Sequence, residues 1–239
     1  MDKLIPYLTP LISMLTFLLR FYFNKLNETS KRNKAIQIRY LNGLRLYLEE
    51  TFWRLFEISQ YVSVEGSYSD QTLIKEFSEI KKQDKYWFVN EGYYLISTSY
   101  LIACLFGTIQ KIREEHPYIF VIRKKDDTAI LNKAFKISLA FLKDESIYYV
   151  LQHNIGNLMY KKSEERFLNY AEFVELIVDD KSSIFFEKLV NLIIDFGERK
   201  KKKNIELALE SIQSLSIFLE EKYGLGPTIE NRLELEKNK

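Results

Sequence analysis

Apolar residues recur along most of this chain at steps of three and four, the period of a helix with one buried face. Ile36, Tyr40, Leu44, Leu48, Leu55, Ile58 and Val62 mark one such stripe, closed by Gly66. Asp70 reads as an N-cap ahead of Leu73, Ile74, Phe77 and Ile80. Gly92 to Gln110 carries no charge and predicts a helix that ends at His116-Pro117, with Tyr118 to Ile122 as an extended link. Thr128 is the expected cap of a helix bearing Leu131, Phe135, Leu139 and Leu142. Ser146 opens the next, through Tyr149, Val150, His153 and Met159, and Ser163-Glu164-Glu165 starts another with Phe167, Ala171, Val174 and Val178. Ser182 or Ser183 begins a helix striped by Phe186, Leu189, Val190 and Ile193, with Gly197 at its C′ position. The last runs from Asn204 to Tyr223, with Ala208, Ile212, Leu215 and Leu219 on one face and Gly224 as its stop.

The amino-terminal pattern is different. Leu4 to Leu19 is uncharged, and with Arg20 to Phe23 it makes twenty residues. At 1.5 Å per residue they reach about 30 Å, the thickness of a bilayer's hydrocarbon core. Arg20 is close enough to the end to snorkel. Lys25, Lys31, Arg32, Lys34 and Arg39 follow, against Lys3 in front. That asymmetry places the body in the cytoplasm and suits contact with anionic headgroups. Ser13, Thr16, Arg20, Asn24 and Asn27 share one face, a stripe that would favour helix–helix association in lipid. Two alternatives stay open: an interfacial helix with its stripe toward water, and a packed terminal helix of a soluble protein. Thr9-Pro10, an N-cap and first-turn pair, would shorten the span.

Gly92 to Gln110 is also long enough to cross a membrane. Ser97, Thr98, Ser99, Thr108 and Gln110 dilute it, and Lys111, Arg113, Arg123, Lys124 and Lys125 would then fall outside. The expectation is a core helix. Only 8 glycines and 4 prolines occur in 239 residues, too few for the turns of a sandwich, barrel or propeller. The chain is therefore read as all-α: a transmembrane or membrane-associated helix, then a bundle of seven to eight helices. Residues 1–27 form the anchor, 28–224 the body and 225–239 a polar tail, with Asn27 to Lys34 either a continuation of the first helix or a short linker.

Candidate chemistry is sparse. The single cysteine, Cys104, excludes an intramolecular disulfide framework, and a net charge of +2 gives no global pull toward nucleic acid. His116 and His153 are the only histidines and have no metal-ligand spacing. His153, among tyrosines, could be a general base or a partly buried structural residue. Glu114-Glu115, Asp126-Asp127, Glu164-Glu165 and Asp179-Asp180 are adjacent carboxylates, which point apart on a helix. Phosphate loops, nucleophile elbows and calcium loops are absent from the sequence. Tyr86, Trp87, Phe88, Tyr93, Tyr94 and Tyr100, with Ser97, Thr98 and Ser99, would line a small-ligand pocket with Tyr94 and Thr98, line a channel through the bundle, or form a core.

No catalytic residue, cofactor or metal is expected. The leading expectation is a single-pass membrane protein whose cytoplasmic helical module acts by binding a protein partner or itself. The alternatives are a membrane-acting effector or transport component whose first helices oligomerise in the bilayer, and an enzyme with a site near His153.

Overall fold

A computed structural model describes residues 5–36, 40–61, 74–115, 124–225 and 229. Of residues 5–13, 29, 32–36, 61, 115 and 124–127 it describes the backbone alone. Gly66, Asp70, His116-Pro117, the link at 118–122, Arg123 and nearly all of the tail thus lie outside the described residues.

The chain is all-α. Helix α1 spans Ile5–Ile36 and α2 Asn42–Tyr61. Next come α3 (Tyr93–Glu115), α4 (Lys124–Leu142), α5 (Tyr149–Leu158), α6 (Tyr170–Val178), α7 (Ser183–Gly197) and α8 (Lys202–Tyr223). Helix α1 continues without a break through 27–34, so that polar stretch is helix and not linker. Among the described residues, the seven helices α2–α8 form the bundle. Helix α3 runs through its middle against α2, α4, α5, α6 and α7, while α8 packs on α2 and α4. The stripes read for α2, α7 and α8 are their buried faces: Leu44, Leu48, Leu55, Ala208, Ile212, Leu215 and Leu219 have no exposed surface. Those read for α4, α5 and α6 are not, since Phe135, Leu139, Tyr149, Val150 and Val178 are exposed, and Ala134, Ile137, Phe141, Ile155, Phe173 and Ile177 face the core instead.

Among the residues whose side chains are described, α3 is the one helix long and apolar enough to cross a membrane, and 78% of that stretch is buried inside the protein. Its hydroxyls do not need solvent. Thr98 donates to the Tyr94 carbonyl at 2.7 Å, Ser99 to Leu95 at 2.9 Å and Thr108 to Cys104 at 2.9 Å. Each bonds back one turn, which makes a polar-looking sequence compatible with a dry core.

Two glycines set the crossing of α3 and α5. A Cβ on Gly156 would stand 2.8 Å from the Gly107 backbone, and one on Gly107 would stand 2.5 Å from the Phe167 ring. The helices therefore touch backbone to backbone at this level.

Several boundaries differ from the sequence expectation. Residues 77–82 form a 3₁₀ turn, held by the Asn191 side chain accepting from the Phe77 amide at 3.1 Å, where an α-helix was expected. Helix α4 starts at Lys124, so Thr128 lies inside it and is not its cap. Ser163-Glu164-Glu165 starts no helix. Instead Tyr160–Lys161 and Arg166–Phe167 pair antiparallel around a turn in which Glu165 has φ 51°. The capping box of α6 is Asn169 with Glu172, and Ser163 has Arg166 where a box needs Glu or Gln. Glu172 also takes Arg166 and Lys161, which hold its carboxyl well below the usual carboxylate range. Gly197 is the last residue of α7 and not its C′; the left-handed positions fall on Arg199 and Lys201. Gly224 does occupy the αL cap of α8, with φ 64°.

Asn204 ties the two ends of the bundle's outer layer together. Its side-chain amide, 1% exposed, donates to the carbonyls of Lys143 at 2.7 Å and Ala140 at 3.3 Å. Ala140 lies in the last turn of α4 and Lys143 in the 3₁₀ turn that follows, where its carbonyl also accepts from the Ser146 amide and hydroxyl. Asn204→Ala removes both bonds and should cost about 1–3 kcal/mol, at ~0.5–1.5 kcal/mol for each. A thermal melt indistinguishable from the parent would remove this role.

Candidate functional site

Opposite its buried stripe, α2 presents Leu46, Glu49, Glu50, Trp53, Arg54 and Glu57 at steps of three and four. Helix α3 offers Tyr93, Ser97, Tyr100 and Leu101, and Tyr170 begins α6. These residues line one cleft of about 780 Å³, within the size range of small-molecule sites.

The aromatic wall is fixed from behind. Tyr170 donates to the Phe88 carbonyl at 2.7 Å, and Tyr100 donates to Leu168 at 2.9 Å. The Tyr170 ring meets Tyr93 edge-on at 5.5 Å between centroids and Tyr100 at 6.0 Å. Burial raises the phenol pKa values of Tyr100 and Tyr170, so both stay protonated donors. Behind Tyr100, Cys104 is fully buried, with its thiol pushed up to about 12 by burial. It is an inert core thiol.

The charges are unequal. Three carboxylates and one guanidinium line the cleft. Arg54 stacks over the Tyr94 ring at 4.1 Å, lies 4.0 Å from Glu57 and reaches Ser97 at 3.5 Å. Tyr94 itself donates to Glu57 at 3.2 Å. Glu49 pairs with Arg45 at 3.4 Å. Among the described residues Glu50 forms no hydrogen bond or ion pair. Its pKa is raised by partial burial and by the like charge of Glu49, against a lowering by Arg54.

The residues singled out from sequence fall in three places. Tyr94 stands at the rim of this cleft, while Thr98 is fully buried and back-bonded in α3. His153 is not with them. Its Nε2 lies 2.8 Å from Arg113 Nη1, some 28 Å from Tyr94 by the helical rise of α3. A guanidinium only donates, so Nε2 accepts and the proton sits on Nδ1. Thr16, Arg20, Asn24, Lys25 and Lys31 are exposed on α1; the side chains of Ser13, Arg32 and Lys34 lie outside the described residues. The α2 face was not recognised from sequence, although its acidic and aromatic period was there to read beside the apolar one.

Burial, followed by the Arg113 charge, lowers the His153 pKa from its ordinary 6.5. The unfolded chain then binds a proton that the native state resists, and stability falls as pH drops through about 6.5. Above that value His153 contributes no slope. In His153→Gln the amide can still accept from Arg113, and the decline between about pH 7 and 5 should be shallower than in the parent. Parallel Tm–pH curves for the two proteins would exclude the assignment.

No group of three or more His, Cys, Asp or Glu among the described residues is disposed to hold a metal. Comparison with protein-family models, with curated proteins and with solved structures finds no match to this chain.

Proposed function

We propose that the chain is a membrane-tethered helical module that acts by binding, with α1 as the tether and α2–α8 as its cytoplasmic body. One observation carries this. Met14, Leu15, Phe17, Leu18, Leu19, Phe21, Tyr22, Phe23 and Leu26 are all between 46% and 68% exposed. At 100° per residue they cover about 240° of the helix surface. Thr16, Arg20, Asn24 and Asn27 fill the remaining sector. A helix that packs on its own body needs only a stripe of about 100°, and this one turns none of these side chains inward. Lipid on most of the circumference satisfies it, with Lys25 and Lys31 at the cytoplasmic end. The polar sector favours association between copies of α1, which keeps the effector that oligomerises in the bilayer as a second reading.

Membranes carrying the full chain with a tag after Lys239 test the tether. Retention through an alkaline-carbonate wash, with the tag protected from external protease, is expected. Release into the wash would refute a spanning tether, and an external tag would reverse the body's assigned side.

A further inference from the structure

We propose that the cleft between α2 and α3 binds an organic ammonium ion, with Glu50 as its counter-charge and Trp53, Tyr93, Tyr100 and Tyr170 as its wall. This goes beyond the tether and does not depend on it. Carboxylates outnumber guanidinium three to one in the lining, so the cleft disfavours anions. The single guanidinium is committed, held between Glu57 and the Tyr94 ring. Glu49 is taken by Arg45. Glu50 alone of the three carboxylates has no hydrogen bond or ion pair among the described residues.

The wall decides the kind of cation. A hard metal ion asks for several oxygen ligands at once, and the cleft has one free carboxylate. Four aromatic rings instead suit a large, weakly hydrated cation, which ring quadrupoles attract and which loses little hydration on entry. Arg54 over Tyr94 shows this chemistry already at work on the same rim. Tyr93, 47% exposed, leaves the cleft open to a ligand. Substituted ammonium groups occur both as free ions and on lipid headgroups. The cleft begins on the first turns of α2, close in sequence to the end of α1, so either source can reach it.

The test uses the full chain in dodecyl maltoside micelles, following the indole N–H resonances of its two tryptophans, Trp53 and Trp87. Tetramethylammonium chloride is titrated against sodium chloride at constant ionic strength. A saturable shift of the Trp53 signal alone is expected, with Kd on the order of 1 mM. Glu50→Gln, at an exposed position, should weaken it about tenfold, and Tyr93→Ala several-fold. A second arm compares phosphatidylcholine with phosphatidylglycerol nanodiscs. A Trp53 shift confined to phosphatidylcholine and lost in Glu50→Gln would assign the ammonium to a lipid headgroup. No saturable shift in either arm overturns the proposal. So does an equal response to tert-butanol, which has similar bulk and no charge, or a shift that Glu50→Gln leaves unchanged while the far-UV spectrum stays native.

Discussion

Gly156→Ala should lower the stability of the body by about 2–3 kcal/mol, the largest loss expected from adding a single methyl group. The new Cβ would lie 2.8 Å from Cα and N of Gly107 and 2.9 Å from the carbonyl carbon of Phe106. All three are backbone atoms of α3, so no rotamer change relieves the overlap and the two helices must separate. Overpacking typically costs about 1–3 kcal/mol and occasionally more, here at the upper end because only backbone can yield, against a gain of up to about 1 kcal/mol from replacing a helical glycine. For a body of this size the balance corresponds to a Tm lower by roughly 4–12 °C. Gly107→Ala should cost less, because its closest contact is the Phe167 ring, a side chain that can move, and the nearest backbone atom, the Gly156 carbonyl oxygen, stands at 3.0 Å. Gly43 supplies the internal control. Nothing lies within 4 Å of a Cβ built there, so Gly43→Ala should be neutral or stabilising by up to ~1 kcal/mol. Thermal melts of the three variants would decide it: if Gly156→Ala and Gly43→Ala melt together, the crossing is not close-packed. Because His153 precedes Gly156 by one turn on α5, separation should also loosen its bond to Arg113. The pH dependence of Gly156→Ala should then approach that of His153→Gln.

How far the sequence revealed this architecture follows from how local each signal is. The stripes of α2, α7 and α8 are set by periodic apolar residues within one segment, and they coincide with fully buried side chains. Gly224 stops α8 through its own left-handed φ, again a local property. The hairpin at Tyr160–Phe167 was invisible because two-residue strands have no period to detect. Ser163-Glu164-Glu165 imitates a helix start until residue 166 is checked, while the working box begins six residues later at Asn169. The Gly107–Gly156 contact joins helices far apart in the chain, and neither glycine announces its partner. The cleft was half legible. Tyr94 marks its rim, but Thr98 turned out to be satisfied within α3 and His153 belongs to a different end of that helix. The missing half was the second face of α2, whose Glu49, Glu50, Trp53 and Glu57 repeat as regularly as its leucines. An apolar stripe draws attention to what is buried, and the opposite face reads as ordinary solvated surface until α3 and Tyr170 are seen to close over it.

Replacing Leu15 and Leu18 together by lysine should move the protein from membrane to solution without disturbing its body. Both side chains are exposed on α1, at 58% and 51%, so the bundle loses no contact. Lysine is a good helix former, and α1 should keep its helicity. The effect falls on transfer into lipid. Each lysine near the middle of a spanning helix costs about 2.5–3.5 kcal/mol, and each leucine removed forfeits a few tenths more. The pair therefore opposes insertion by roughly 5–8 kcal/mol, a shift of about four to six orders of magnitude in partition. In the proposed placement Arg20 exerts a smaller penalty, because near the end of the span its guanidinium can reach the headgroups. Liposome flotation with purified protein measures the partition with no other protein present, so it separates lipid from a protein partner as the cover of α1. The parent should float and the double variant should remain at the bottom, with both giving the same melting temperature for α2–α8. A parent that fails to float would show that the 240° apolar surface is covered by something other than lipid. A double variant that still floats would place the contact outside the middle of α1. Thr16→Lys supplies the complementary comparison, since that side chain belongs to the polar sector. If copies of α1 associate through it, the added charge should weaken crosslinking in membranes while flotation persists.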